Sequence, residues 1–261
     1  MKTSGNAILI TGGASGIGLA LAKAFTHKGN CVMVCGRDAQ QLEEAKHDLP
    51  ELLVRQCDLA DKNERLAFVY WALEQLPGLN VVINNAGIAG PVDLTIDELD
   101  IDTVDRQLLI DLSVPVDLSL RFLPHLRRQP FAALVFVSSG LVYSFDASSP
   151  AYSTAKAGIH VWAQSMRYQL RETSVAVFDV LPPTVDTNLT PDFDATAMKA
   201  LKAISPENVA DAVIEGMQND ATEIRIGRVK LLEIASRIAP HRTDRLVNAE
   251  IDKVRHPKDG K

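Results

Sequence analysis

The sequence predicts a single α/β domain built on a doubly wound parallel β-sheet of about seven strands, with helices on both faces. Short apolar runs alternate with longer amphipathic segments, and no linker or internal repeat interrupts the alternation. The runs are rich in Val, Ile and Leu, which is typical of strands covered on both faces. Strands and helices that alternate in this way form right-handed crossover units and a parallel sheet.

Six apolar runs predict six strands, and a weaker run predicts a seventh. The six lie at residues 7–11, 31–36, 52–57, 79–83, 132–137 and 175–181. The seventh strand is expected at residues 223–226.

The segments between the strands have the apolar spacing of helices, which repeats every three to four residues. One apolar stripe consists of Ile17, Leu21, Ala24 and Phe25, and another consists of Leu66, Val69, Tyr70, Leu73 and Leu76. Longer helices are predicted at about 97–112, 116–127 and 151–172, and a further one carries Leu231, Leu232, Ile234, Ala235 and Ile238. The charged tail, 241–261, is expected to hang loosely or to pack on a partner subunit.

Composition and charge exclude several classes of protein. The 261 residues are 46% hydrophobic and 23% charged, which describes an ordinary globular protein large enough to need no disulfide or metal for its core. A net charge of −6 argues against nucleic acid or an anionic membrane as the main partner. No apolar run is long enough to span a bilayer, and the N-terminus lacks the features of a signal peptide. Three cysteines in apolar runs are expected to be buried free thiols of a cytoplasmic protein.

A glycine-rich turn follows the first predicted strand directly and opens a predicted helix. It reads Thr11-Gly12-Gly13-Ala14-Ser15-Gly16-Ile17-Gly18. Gly12, Gly16 and Gly18 would allow a tight turn, close approach of a pyrophosphate and close helix–strand packing. The helix N-terminus offers free N–H groups and a positive dipole to phosphates. A plain glycine-rich turn is the alternative, but a strand before it and a helix after it favour dinucleotide binding.

Four motifs in order make the sequence resemble the short-chain dehydrogenase/reductase family. The first is Thr-Gly-x3-Gly-Ile-Gly in the turn, and Asn84-Asn85-Ala86-Gly87 follows the fourth strand. Ser139 then precedes Tyr152-Ser153-Thr154-Ala155-Lys156, which matches the family's Tyr-x3-Lys. The run Pro182-Pro183-Thr184-Val185-Asp186-Thr187 follows the sixth strand, where most members have Pro-Gly. This Pro-Pro form, together with Ile224-Arg225-Ile226-Gly227, resembles a subgroup typified by DltE-type oxidoreductases.

The resemblance implies a Rossmann-type fold and an oxidoreductase that moves a hydride between a nicotinamide cofactor and a small carbonyl or secondary alcohol substrate. A proton must then move on or off the substrate oxygen, and a tyrosine of lowered pKa can carry it. A lysine four residues later on the same helix face favours tyrosinate. By resemblance, Tyr152 is the acid/base, Lys156 lowers its pKa and holds the nicotinamide ribose, and Ser139 binds the substrate oxygen. A Tyr and a Lys on a solvated helix face is the alternative interpretation.

Asp111 stands where the family has the asparagine of its catalytic set. Asparagine both donates and accepts hydrogen bonds, whereas an ionised aspartate only accepts them. We expect the negative charge of Asp111 to raise the pKa of Tyr152. The substitution also supports a different hypothesis, a dinucleotide-binding regulatory or scaffold protein of the same fold. The intact Ser139, Tyr152 and Lys156 favour the enzyme.

The end of the second strand favours NADP over NAD. Gly36 occupies the position where NAD enzymes commonly carry an acid, and Arg37 could bind a 2′-phosphate with parallel hydrogen bonds. Alternatively, Arg37 caps the strand edge, stacks on adenine in an NAD enzyme, or pairs with Asp38. The complete set of expected cofactor contacts comprises Gly12, Ser15, Gly16, Ile17, Gly18, Arg37, Asp58, Leu59, Asn85, Ala86, Gly87, Tyr152, Lys156, Val185 and Thr187.

Three expectations concern the rest of the chain. Residues 186–205 are expected to form a mostly apolar lid over the substrate. The six histidines form no ligand cluster, so no metal site is expected. The resemblance also implies a homodimer or homotetramer, in which the two long helices pack against symmetry mates.

Overall fold

The seven predicted strands form one parallel sheet in a computed structural model that describes residues 1–189 and 195–255. They are β1 (Ala7–Thr11), β2 (Cys31–Gly36), β3 (Leu53–Gln56), β4 (Val81–Asn84), β5 (Ala132–Val137), β6 (Val175–Leu181) and β7 (Glu223–Arg225). Their order across the sheet is β3-β2-β1-β4-β5-β6-β7, and every neighbouring pair is parallel. The predicted fold class is confirmed. The order reverses between β1 and β4, and open α/β sheets bind ligands at such a reversal.

The described residues contain ten α-helices, and helices cover both faces of the sheet. They are α1 (Gly16–His27), α2 (Ala39–Asp48), α3 (Lys62–Gln75), α4 (Ile101–Leu108), α5 (Val114–Leu126), α6 (Pro150–Leu170), α7 (Ala195–Ala200), α8 (Pro206–Gln218), α9 (Val229–Ile238) and α10 (Pro240–Arg255). Alternate residues of each strand point to opposite faces. Ile8 and Ile10 of β1 therefore pack with α1, α2 and α8, whereas Leu9 packs with α3, α5 and α6.

The apolar stripe predicted for α3 is partly wrong. Phe68, Val69 and Ala72 are buried, but Tyr70 is 68% exposed. The buried face also includes Arg65, whose guanidinium lies 2.7 Å from the carboxylate of Asp117 on α5. A charged side chain can be buried in this way only when it is paired, and an apolar pattern does not reveal the partner.

The helices predicted at 97–112 and 116–127 form one continuous helical run. Asp100 caps α4 by accepting a hydrogen bond from the backbone of Thr103, so this helix begins four residues later than predicted. A π-helical turn, Leu109–Ser113, joins α4 to α5, and the N–H of Val114 donates to the carbonyl of Leu109. Pro115 has no N–H group to donate the next α-helical hydrogen bond, and the π-helical turn accommodates the loss of this bond.

The described part of the predicted loose tail is instead helical. Helix α10 packs on α9 and α7 of its own chain, and residues 256–261 lie outside the described residues. The carboxylate of Asp244 accepts a hydrogen bond from Ser144 at 2.9 Å, and the side chain of Asn248 accepts one from the N–H of Ala147 at 2.7 Å. Partners about one hundred residues earlier in the chain therefore order this charged segment.

Three further findings concern the cysteines, metals and membranes. Cys35 and Cys57 are buried, but Cys31 is exposed at the start of β2, so the expectation of three buried thiols is wrong for Cys31. Across residues 1–189 and 195–255, no cluster of His, Cys, Asp and Glu side chains could hold a metal ion. Within the same residues, every helix is too short or too polar to cross a bilayer.

Replacement of Gly18 by alanine tests the packing between the glycine turn and the sheet. A Cβ atom at this position would lie 2.1 Å from the carbonyl oxygen of Gly12 and 2.6 Å from the side-chain nitrogen of Asn85. We expect Gly18→Ala to lower the free energy of unfolding by about 1–3 kcal/mol, measured by urea denaturation. Gly78→Ala is the control because no atom lies within 4 Å of its Cβ position. Equal stability of the two variants would contradict the packing argument.

Candidate functional site

The predicted site residues gather around a single cleft at the carboxyl ends of the strands. Its volume is about 1280 Å³, which exceeds the roughly 300–1,000 Å³ of a typical ligand pocket. All of the expected catalytic and cofactor-binding residues line it except Gly18 and Asp111. Gly18 packs beneath the glycine turn, and Asp111 lies behind Lys156.

Gly12, Ser15 and Gly16 of the glycine turn line the cleft. Gly12 has a φ of +63° and Gly16 a φ of +50°, in the left-handed region that side chains other than glycine rarely adopt. The Thr11 hydroxyl accepts hydrogen bonds from the N–H groups of Asn85 and Ala86, each at 3.0 Å. The Asn85 side chain donates to the carbonyls of Thr11 and Gly12 at 3.0 and 3.2 Å. These bonds hold the turn against the end of β4.

Arg37 lies exposed at the end of β2 and lines the cleft. The carboxylate of Asp38 accepts a hydrogen bond from the N–H of Gln41 at 3.1 Å and thereby caps α2. Among the described residues, the ion pairs include none between Arg37 and Asp38. Asp38 therefore leaves the Arg37 charge available to a ligand.

Asp58 and Leu59 line the cleft just after β3. The carboxylate of Asp58 accepts from the N–H of Ala60 at 3.0 Å and lies 3.3 Å from the guanidinium of Arg106 on α4. Leu59 is buried. Sequence reasoning missed Arg106, because nothing in its local pattern indicates that α4 crosses the end of β3.

Ser139, Tyr152 and Lys156 come together where β5 meets α6. Tyr152 and Lys156 lie one turn apart on α6, with the ammonium nitrogen 5.4 Å from the centre of the phenol ring. Lys156 is buried and donates to the carbonyl of Val137 at 3.1 Å. Ser139 lies two residues after the end of β5, and its hydroxyl accepts from the N–H of Leu141 at 3.1 Å.

The π-helical turn brings the buried carboxylate of Asp111 against Lys156. The Oδ1–Nζ distance is 3.2 Å, and Oδ2 accepts from the N–H of Ile88 at 3.1 Å. A Cβ atom on Gly87 would lie 2.6 Å from Oδ1, so only glycine allows the carboxylate to approach this closely. Sequence reasoning identified the position of Asp111 but left open whether it would pair with a basic residue.

These groups shift one another's pKa in definite directions. Burial raises the pKa of Tyr152, and the negative charge of Asp111 raises it further, while Lys156 and a hydrogen bond from Ser139 lower it. Burial alone would lower the pKa of Lys156, but Asp111 and Tyr152 bring it above its ordinary value. Burial raises the pKa of Asp111 despite the nearby ammonium. The net result is a phenol that holds its proton at neutral pH.

A second buried charged cluster lies behind these residues, and sequence reasoning missed it. Asp179 in β6 is fully buried, and its carboxylate accepts from the Ser138 hydroxyl at 2.6 Å. The carboxylate also lies 2.5 Å from Nδ1 of His160, which follows Lys156 by one turn of α6. The available signal was an acidic residue within the apolar run Val175–Leu181. The cluster ties α6 to the ends of β5 and β6.

Backbone pairing joins the two ends of the expected lid. Val185 pairs with Ile204 in an isolated parallel bridge, and the N–H of Asp186 donates to the Ile204 carbonyl at 2.9 Å. Thr187 lies beside the glycine turn, where its methyl group would be 3.1 Å from a Cβ atom on Gly16. Residues 190–194 of the lid lie outside the described residues.

Comparison with known proteins finds similarity over most of the chain. Residues 6–197 match the family model described as short chain dehydrogenase. The "Uncharacterized oxidoreductase DltE" of Bacillus subtilis (strain 168) is 41% identical over 239 residues, which are 91% of this chain and 94% of that protein. An uncharacterized oxidoreductase of Staphylococcus aureus (strain USA300) is 28% identical over 208 residues, which are 79% of this chain and 88% of that one.

A solved structure has the same fold. It is a short chain dehydrogenase from Burkholderia cenocepacia J2315, crystallised in complex with NADP. The TM-score is 0.81 at 20% sequence identity, and the match covers 95% of this chain and 99% of the other.

Proposed function

The chain belongs to the short-chain dehydrogenase/reductase family of oxidoreductases, and we propose that it transfers a hydride between NADP(H) and a carbonyl or secondary alcohol substrate. The predicted resemblance to the family and to its DltE-type subgroup is confirmed. The observation that carries the proposal is the grouping of Ser139, Tyr152 and Lys156 in the cleft that also contains the glycine turn.

The cleft has the features that a dinucleotide phosphate needs. Gly12 and Gly16 line the cleft, where their backbone could approach a pyrophosphate, and the N-terminus of α1 follows the turn. Arg37 is placed to bind a 2′-phosphate without competition from Asp38. The NADP complex of the solved neighbour supports a nicotinamide dinucleotide. When bound, NADP(H) would supply or accept the hydride.

Residues of the chain itself would donate and accept the proton. The Tyr152 hydroxyl gives its proton to the substrate oxygen during carbonyl reduction and takes one back during alcohol oxidation. Ser139 donates a hydrogen bond to the same oxygen. Lys156 lines the cleft, where it would also hold the nicotinamide ribose, whereas Asp111 acts through Lys156 and Tyr152 and is a positioning residue. Carbonyl reduction needs the protonated form of Tyr152, and the raised pKa of Tyr152 favours that form.

The alternative function, a regulatory dinucleotide-binding protein, depends on Asp111 in place of asparagine. A protein without turnover would not require Ser139 and Tyr152 beside Lys156 in the cleft, so their grouping favours the enzyme. Steady consumption of NADPH with a panel of aldehydes and ketones separates the two functions.

Exposed apolar side chains on α5 and α6, namely Leu120, Val161 and Tyr168, support the proposal of a homodimer or homotetramer.

The cofactor preference is tested by Arg37→Ala. We expect NADPH binding to weaken by roughly 1.5–3 kcal/mol, the range for hydrogen bonds to charged groups, and NADH binding to change little. Fluorescence titration with both cofactors measures this. Arg55→Ala is the control because Arg55 lies over the Trp71 ring and does not line the cleft. Equal losses for NADPH and NADH would show that Arg37 does not recognise the 2′-phosphate.

The role of Tyr152 is tested by Tyr152→Phe. We expect kcat to fall about a hundredfold to ten-thousandfold because the positioned proton donor is lost while the ring still fills its space. Cofactor affinity and thermal stability should stay near those of the wild type. Tyr70→Phe, at an exposed position, is the matched control. A variant that kept more than about half of the wild-type kcat would mean that another group is the acid.

The charge of Asp111 is tested by the pH dependence of kcat/KM for alcohol oxidation. Oxidation needs ionised Tyr152, so the rate rises as the pH passes the pKa of this group. Asp111 raises that pKa, and Asp111→Asn should therefore move the rise toward lower pH. Asp105→Asn, at an exposed position on α4, should leave the profile unchanged. A shift of Asp111→Asn toward higher pH would refute the electrostatic argument.

A further inference from the structure

The two C-terminal helices supply an aliphatic wall to the cleft. Besides the buried Val229, six apolar side chains of α9 and α10 line the same cavity as Ser139 and Tyr152. The wall lies outside residues 6–197, which match the family model, so it belongs to the part of the chain that the match does not describe. The wall consists of Leu231, Leu232, Ala235, Leu246, Val247 and Ile251.

Hydrogen bonds hold the wall in place relative to the catalytic residues. Asp244 and Asn248 lie one turn apart on α10 and bind the loop that connects Ser139 to Tyr152. Asp244 accepts from the Ser144 hydroxyl at 2.9 Å. Asn248 accepts from the N–H of Ala147 at 2.7 Å and donates to the carbonyl of Phe145 at 3.0 Å. The part of the wall on α10 is therefore hydrogen-bonded to the loop that connects the two catalytic hydroxyl groups.

The wall presents aliphatic surface to water and offers no unpaired charge. Leu231 is 70% exposed and Leu246 is 73% exposed, although both line the cleft. The charged side chains that this segment contributes to the cleft, Arg228 and Glu250, lie 3.2 Å apart and neutralise each other. The Arg228 guanidinium also donates to the carbonyl of Leu201 at 2.7 Å. Such a surface suits an alkyl chain better than a sugar or an anionic group.

We propose that the substrate is an aliphatic ketone, aldehyde or secondary alcohol whose alkyl chain lies on this wall while its oxygen lies between Ser139 and Tyr152. This inference rests on the proposed function for the reacting end of the substrate. In the reductive direction, the carbonyl carbon gains a hydride from NADPH, and its oxygen gains a proton from Tyr152. The wall and the catalytic residues line one continuous cleft, which is larger than a single ligand needs. We therefore assign the wall to the substrate.

A series of methyl ketones from butanone to undecanone tests the proposal with the full-length protein and NADPH. We expect kcat/KM to rise about threefold to fourfold for each methylene group that reaches the wall. Leu231→Gln and Leu246→Gln should reduce the advantage of the longest ketone over butanone by about tenfold. Ile238→Gln is the control, because Ile238 is 80% exposed on α9 but does not line the cleft. Equal kcat/KM values along the series would overturn the proposal.

Calorimetric titration with unreactive n-alkyl carboxamides, from acetamide to decanamide, separates this inference from the proposed function. The protein is saturated with NADP⁺, and affinity should increase with chain length in the wild type but far less in Leu231→Gln. If amides bind in this way but no ketone is reduced, the proposed function fails and the alkyl site stands. If amide affinity is independent of chain length, the alkyl site fails. Sedimentation provides the last outcome: if Leu231→Gln dissociates an oligomer without changing chain-length dependence, the wall is a subunit interface and the proposal is wrong.

Discussion

The buried ammonium group of Lys156 is the constraint on which the site depends. A buried positive charge is costly unless it is paired and hydrogen-bonded. The partners of Lys156 come from separate elements: the Val137 carbonyl at the end of β5 and the Asp111 carboxylate in the π-helical turn. The sheet, the α4–α5 run and α6 must therefore meet at this point. Gly87 permits the meeting because any side chain there would collide with Asp111.

The same helix carries a second buried polar contact one turn further on. His160 contacts Asp179 of β6, and Ser138 donates to the same carboxylate from the end of β5. Lys156 and His160 thus fasten α6 to β5 and β6, and Ser138 lies directly before Ser139. Loss of either pair would leave a buried charge without compensation. The relative position of Ser139 and Tyr152 follows from these two pairs.

The two ends of the cleft use different chemistry. At the nucleotide end, glycines bring the backbone close to the cavity, and Asn85 holds the turn with hydrogen bonds to Thr11 and Gly12. Backbone groups of this kind suit phosphates, which are common to all dinucleotides. At the other end, Leu231 and Leu246 present side chains that bind by apolar contact. A cofactor that many proteins share can be bound by fixed backbone geometry, whereas a particular substrate is selected by the size and polarity of side chains.

The sequence by itself determined the strands, because doubly covered strands require continuous apolar runs, and the motif spacings identified the glycine turn, Ser139, Tyr152 and Lys156. Only the tertiary structure decided which charges meet. The contacts of Lys156 with Asp111 and of His160 with Asp179 join separate elements, and the charged segment of α10 is ordered by partners about one hundred residues earlier. Local patterns record the period and burial of side chains. Pairing between distant residues depends on the path of the folded chain, and a local sequence pattern carries no information about that path.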